Sequence, residues 1–592
     1  MTTNCFCPQW WRGRCRPRFA GLIVSTLVST SLWAQATLAT TMVNGLPAAA
    51  VLHAATALPV TTSSPAEPGE TLIAQGSGFS GGAQVLVAGA PVDTTVLDDA
   101  DAQFVLPPGA GGSFLQIAVA GADGSQSPAA VIPVDAAFDA TQLSAADVQT
   151  LVANAVQADG APGLAVAVVD RAGNILAIFR LPATTDADVE KALSLARTGA
   201  FFSSLATPLS SRTVQAISQP NFPMGIPNQP SGPLFGIGNT NRGCNFNVTY
   251  LPGQMLPQLQ NATGTGYGLG MATFPGGLPL YRNGVTVVGG IGVAGAGSDD
   301  LDEYVASQSA RASGFFVQLP LPDPGAVYIN GIRLPFINTT APPGISFSSP
   351  FFIYSGTFEV GPLNGMPAPE GWLVGPSASA TLSVADVTSI VQSAISAAGL
   401  TRAAIRLPVG TRASMVISVA DLDGNILGLY RMSDSLIFSI DVALTKARNV
   451  VYFSGPNRDP RDLPGVPTGT AVTNRTVGFA SQPYFPSGIA NTRPGPFAAM
   501  YAADTANPCT QGNQPANPNQ SGIVFFPGSA PLYRNGQLVG GLGVSGDGVD
   551  QDDFVTSGGA INFLAPLAIR ADQFLLRGIR LPYWSFPRNP EQ

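Results

Sequence analysis

LAVAVVDRAGNILAIFR (residues 164–180) is two apolar runs joined by a short turn, and MVISVADLDGNILGLYR (415–431) has the same layout. In each, a run of small and β-branched residues ends on Asp (Asp170, Asp421). A Gly-Asn pair follows (Gly173-Asn174, Gly424-Asn425), and a second run closes on Arg (Arg180, Arg431). Apolar runs bounded by Asp, Gly and Asn read as β-hairpins. The hairpin occurs twice, so the chain is first of all an internal repeat.

Upstream of each hairpin lies a helix start, LSAADV (143–148) and LSVADV (382–387), with Ser three residues before Asp. That spacing lets each side chain satisfy a free amide of the first turn. Val148, Leu151, Val152, Ala155 and Val156 follow at helical spacing, as do Val387, Ile390, Val391, Ala394 and Ile395. Downstream, a second helix carries Ala192, Leu193, Ala196 and Arg197 against Ala443, Leu444, Ala447 and Arg448. PLYRNG (279–284, 531–536), VVGGIGV (287–293) with LVGGLGV (538–544), and GIRLP (331–335, 578–582) complete both copies in one order. Asp302-Glu303 and Asp552-Asp553 are expected to open a further helix near its positive dipole end. The Gly-Gly-x-Gly strands lack the order and following helix of a nucleotide loop, so their glycines point to close backbone packing.

These hairpins, helices and glycine strands, in this order, resemble the GlcG/HbpS-like haem-binding family over about two thirds of the chain. The resemblance implies an α+β fold: duplicated modules of antiparallel sheet packed with helices, often oligomeric. It also implies a small-molecule ligand, non-covalent haem or another small, planar or carboxylate-bearing molecule, since some members bind haem and others have no established ligand. The second-helix lysine of the family is present as Lys446 and replaced by Leu195 in the first copy. If that lysine contacts ligand, the first copy is degenerate.

Before the repeats, short β-type runs at 71–75, 84–88, 103–106 and 114–120 are separated by Gly, Pro and Asp turns. PGET (68–71), GSGF (76–79) and DGSQSP (123–128) resemble IPT/TIG immunoglobulin-like domains, which implies an N-terminal β-sandwich. The expected organisation is a signal peptide at 1–36, the Ig-like domain at 57–135, module 1 at 141–335, a linker at 336–380 and module 2 at 381–582. Arg12, Arg14, Arg16 and Arg18 precede an apolar run from Phe19 to Ala34, and Ala34-Gln35-Ala36 fits a cleavage site, with 37–39 as a second option. The chain is therefore expected to be exported, periplasmic or extracellular, with no membrane span after cleavage.

Composition narrows the function. Of 592 residues only 11% are charged, and the net charge is −8. Phosphate binding needs a basic footprint, so nucleic acid is not an expected partner. The one histidine, His53, lies outside both modules and reads as a linker residue. Without a histidine, the modules hold no Ser-His-Asp or Cys-His catalyst and no clustered His/Cys zinc site. No nucleophile–base pair can be named, which places an enzyme third among the readings. Bound haem would need Tyr281, Tyr533, Met432 or a cysteine as axial ligand, or a weak axial bond.

The candidate cofactor-binding residues are Arg431, Lys446, Arg448 and Asp421, with Arg180, Arg197 and Asp170 in the first copy. Arginine grips carboxylates and haem propionates in a bidentate manner. Against this, Asp170 and Asp421 are also turn-formers, and the arginines also suit internal ion pairs. Arg282 and Arg534, in Tyr-Arg-Asn-Gly turns, are expected at the surface. Cys244 and Cys509 occupy equivalent loops, with a disulfide between the copies, free thiols and partner bonds all open. The preferred reading is an exported binding protein whose modules form a pseudo-dimer. The alternative is a structural or surface-interaction protein whose modules have lost ligand binding.

Overall fold

The computed structural model describes residues 36–591 apart from short breaks, the longest at 108–113, 135–140, 253–269, 318–326 and 344–355. The signal-peptide reading and Cys5, Cys7 and Cys15 therefore lie outside the described residues.

The N-terminal domain is a β-sandwich that starts earlier than its turn chemistry suggested. Thr37–Leu38 pairs with Thr71–Ser77, and Thr40–Val43 and Leu46–Ala49 join the second sheet. Leu72, Phe79, Phe104, Ile117 and Ile132 fill the space between the sheets. Nor is His53 a linker residue. It sits in the strand Val51–His53, and its Nδ1 lies 2.6 Å from Glu70 Oε1.

Module 1 comprises α1 (Ala145–Ala158), β1 (Ala165–Asp170), β2 (Ile175–Arg180), α2 (Asp186–Phe202), α3 (Ser211–Ser218), β3 (Gly277–Arg282), β4 (Thr286–Ala294), α4 (Asp299–Ala312) and β5 (Thr357–Val360). Module 2 comprises β6 (Gly371–Val374), α5 (Val384–Leu400), β7 (Met415–Ala420), β8 (Ile426–Arg431), α6 (Phe438–Ser454), α7 (Asn474–Ser481), α8 (Ala498–Ala506), β9 (Ser529–Arg534), β10 (Gln537–Gly546) and α9 (Val549–Gly559). Each sheet is antiparallel, in the order β3-β4-β1-β2-β5 and β9-β10-β7-β8-β6. The edge strands β5 and β6 come from the stretch read as a linker. Strands of four residues among Gly and Pro carry too little alternation to register as strands, and pairing with β2 and β8 supplies what the pattern lacks.

Local chemistry sets the remaining elements. Ser144 with Asp147 and Ser383 with Asp386 form reciprocal capping boxes at α1 and α5. Gly173 and Gly424 adopt φ of 82° and 81°, the left-handed conformation the hairpin turns require. A Cβ on Gly292 would lie 1.9 Å from Ala192 O, and one on Gly543 2.0 Å from Ala443 O. The glycine strands thus let α2 and α6 lie directly on the sheet. α4 and α9 begin three residues before Asp302 and Asp552, which fall inside the first turn and are buried.

The two modules share a core. One cluster takes in Phe202, Leu234 and Ile237 from module 1 and Phe438, Ile440 and Val524 from module 2. The rings of Phe202 and Phe438 stack at 4.1 Å. Cys244 and Cys509 are joined by a disulfide. No helix among the described residues is long and apolar enough to cross a membrane.

Candidate functional site

The hairpin aspartates are turn braces. Asp170 accepts from the backbone of Ala172 and Asn174, each at 2.9 Å, and from Met366 at 3.2 Å. Burial pushes its carboxyl up to about 6 despite those bonds. Asp421 accepts from the backbone of Asp423 and Asn425 at 2.9 Å. The arginine of the second helix ties the same turn from the other side: Arg197 Nε donates to Gly173 O (3.2 Å) and Arg448 Nε to Gly424 O (2.9 Å). Arg448 also reaches into the other module, donating to Phe246 O at 2.7 Å. Burial lowers both guanidiniums to about 10.

The strand-closing arginines hold the edge strands. Arg180 pairs with Asp186 (3.0 Å) and with Glu359 of β5 (2.7 Å). Arg431 donates to Ser435 O (2.6 Å) and Pro369 O (2.9 Å) and lies 3.4 Å from Glu370, just before β6. The Tyr-Arg-Asn-Gly arginines tie turns to helix starts. Arg282 is half-buried rather than at the surface, because Asp147 holds it at 2.7 Å; exposed Arg534 pairs with Asp386 at 2.7 Å.

Lys446 is completely buried. It donates to Val544 O (2.8 Å) and Asp552 Oδ2 (3.0 Å), beneath the Phe526 ring. Burial lowers the lysine's pKa and raises Asp552 to about 7, with Lys446 opposing the latter shift. Module 1 builds the same pair differently. Leu195 replaces the lysine, but Lys191, one helical turn earlier, places Nζ 3.1 Å from Asp302 and 2.7 Å from Asp299. Beside each pair an arginine spans two acids, Arg212 with Asp300 and Glu303, and Arg475 with Asp550 and Asp553. The missing lysine therefore does not by itself mark the first copy as degenerate.

None of the seven nominated residues lines the cavity of about 890 Å³ between the modules. Module 1 contributes Leu234 and residues 327–331 to it; module 2 contributes residues 402–407, Phe438, Phe526, Asp552 and the tail at 585–588. The volume lies within the usual range for ligand pockets, roughly 300–1,000 Å³. Phe586 offers an exposed apolar ring, while Phe438 and Phe526 line the wall almost wholly buried. Arg402 and Arg588 also line the cavity, and neither makes an ion pair among the described residues. Arg406 is committed to Asp434 (2.6 Å) and Asp547. Asp552 keeps Oδ1 without a hydrogen-bond partner among the described residues. A second cavity of about 640 Å³ adjoins and shares Pro233, Phe526 and Asp550.

Most of this lining falls outside the strings that repeat. One signal pointed to it: Ile405-Arg406-Leu407-Pro408 echoes the Ile-Arg-Leu-Pro that ends each copy.

Comparison with known proteins agrees with the duplicated architecture. The family model described as "Haem degrading protein HbpS-like" matches residues 141–311 and 392–560, and an IPT/TIG domain model matches 58–131. The corrinoid adenosyltransferase PduO of Salmonella typhimurium is 27% identical over 153 residues, 26% of this chain and 33% of that protein. The chain thus spans about a third of the length of that curated relative. An uncharacterized 15.0 kDa protein of Citrobacter freundii is 27% identical over 138 residues, 23% of this chain and 68% of its own length. Among solved structures, a PduOC–heme complex is 25% identical, covers 31% of this chain and 96% of its own, and has a TM-score of 0.20. HbpS is 23% identical, with 29% and 91% covered and a TM-score of 0.17. With both copies matched over more than half its length, the chain belongs to the HbpS-like family, as a tandem pair of modules behind an IPT/TIG domain.

Proposed function

We propose that the protein is exported and binds one planar, carboxylate-bearing small molecule between its two modules, which act as an intramolecular pseudo-dimer. The cavity carries this reading: both modules wall it, the exposed ring of Phe586 borders it, and so do two uncommitted arginines. Such arginines suit carboxylates, and the ring suits a flat apolar body. The shared core and the disulfide support the pseudo-dimer, because they fix the two halves of the wall against each other. Export is supported by the N-terminal signal pattern and by a disulfide that suits an oxidising compartment.

The family's description, which names haem, supports a tetrapyrrole as the first such ligand to test. The cavity residues fit the edge of haem but not its iron. No His, Cys or Met lines the described cavity, and Tyr328, the only lining tyrosine, is 53% exposed. Titration with haemin, followed by absorbance, tests the reading. The expected result is saturation at one molecule per chain, weakened about tenfold in an Arg402→Ala, Arg588→Ala double variant that loses the charge-assisted bonds. The internal commitment of Asp170, Asp421 and Arg431 favours the second reading, a structural or surface-interaction protein. Failure of every tetrapyrrole to saturate would favour that one instead.

A further inference from the structure

One part of the cavity wall is held differently from the rest. Residues 585–588 line the inter-module cavity and belong to a strap, residues 585–591, that contains no helix or strand. The strap is hydrogen-bonded at its two ends. Ser585 N donates to Asp553 Oδ2 at 3.0 Å. At the far end, Pro590 O accepts from Arg402 N at 2.6 Å and Glu591 O from Arg412 Nη1 at 3.0 Å. All these partners lie in module 2. Between the ties, Phe586, Pro587, Arg588 and Asn589 make no hydrogen bond or ion pair among the described residues.

The side chains around the mouth are open. Phe586 is 47% exposed, with its ring 5.9 Å from that of Phe554 and 6.2 Å from that of Trp584. Tyr328 of module 1 is 53% exposed and Val409 of module 2 is 74% exposed, and both line the same cavity. Three large apolar side chains from three separate segments thus stand in water around one cavity. Covering them is favourable in proportion to the apolar area removed from water. The rest of the wall is fixed by comparison. Arg406 is held by both Asp434 and Asp547, and Phe438 and Phe526 are packed in the core. A short span with tied ends and no bonds of its own is the cheapest part to displace.

We propose that residues 586–589 are a lid that closes over the inter-module cavity when it is occupied, carrying Phe586 onto the bound molecule and Arg588 onto its negative charge. The ties at Ser585 and Pro590 are the hinges, as in other loops whose ends absorb the backbone change. Arg402, whose own backbone holds the far hinge, meets the same charge from a fixed position. This rests on the reading of the inter-module cavity as the binding site and adds the segment that controls escape from it.

The probe is anilinonaphthalene sulfonate, which joins aromatic rings to one anionic group. Spin labels on Asn589→Cys and Tyr328→Cys read the gap across the mouth by pulsed electron resonance; Cys244 and Cys509 are tied to each other and do not compete for label. The label distance is expected to shorten by several ångströms when the probe saturates. In stopped-flow, a variant lacking residues 586–592 is expected to release the probe about fivefold faster or more, the factor that covering roughly half a phenylalanine side chain supplies. An unchanged label distance at saturation, or release at the wild-type rate from the folded deletion variant, would overturn the lid while leaving the cavity as the site. If the deletion variant does not fold, the label distance decides alone. If the probe does not saturate, or saturates equally well in Ile329→Trp, the cavity reading itself falls and the lid with it.

Discussion

At the scale of single residues, the two modules solve one problem twice. A buried carboxylate in the first turn of α4 or α9 needs a cation from the facing helix. Module 2 supplies Lys446 from within the core; module 1 supplies Lys191 from a half-exposed position one turn away. Removing either lysine strands a buried carboxylate, but the half-exposed place of Lys191 can be taken by water beside Asp302, whereas that of Lys446 is closed. Lys446→Met is therefore expected to destabilise module 2 by about 3 kcal/mol. Lys191→Met should destabilise module 1 by less than that. Urea unfolding of the two variants measures the difference, and equal losses would mean that burial does not separate the pairs. The lysine itself was legible in the sequence only through the family resemblance, as the second-helix lysine at position 446. Its substitute was not, because Lys191 sits outside the aligned position and only the helical repeat of about four residues brings it to Asp302.

At the scale of elements, the sequence carried most of the module. Ser-x-x-Asp named the helix starts, Asp-x-x-Gly-Asn named the hairpin turns, and Gly-Gly-x-Gly named the strand that a helix lies against. Each signal is local, so each survives without knowledge of the partner. β5 and β6 were not legible because their stability comes from pairing with β2 and β8 and from Arg180 and Arg431 reaching Glu359 and Glu370. The glycine reading gives a direct test. Gly543→Ala would push a methyl into Ala443 O of α6, and overpacking of this kind costs about 1–3 kcal/mol. Gly536→Ala has open space around it, so its cost comes from the positive φ alone. A shift in urea midpoint for Gly543→Ala no larger than for an exposed Gly→Ala control at negative φ would show that the helix does not need the bare strand.

At the scale of the whole molecule, the contacts that matter join sequence-distant loops, which is why the site was the least legible part. Residues 327–331, 402–407 and 585–588 meet only after both modules fold and dock. The same docking buries Asp504, which accepts from Asn239 Nδ2 of the other module at 3.0 Å and from Ile523 N at 2.9 Å. Burial pushes its carboxyl up to about 8. Its value in the unfolded chain is about 3.9, so between these limits the folded state binds one more proton. The associated stability is full below about pH 4 and is lost as pH rises through about 8. Wild type should therefore lose stability between about pH 4 and pH 8, and Asp504→Asn should lose less. Identical pH slopes in urea unfolding would contradict the buried, protonated state.

A ligand site shared by the two modules is most directly tested by filling the cavity from each side in turn. Ile329→Trp does so from module 1 and Ala404→Trp from module 2, both at half-buried lining positions. Tetrapyrrole titration of the two variants, with folding checked by thermal melting, should show that each alone abolishes the single saturable site. Saturation with wild-type affinity in either folded variant would contradict a site built between the modules.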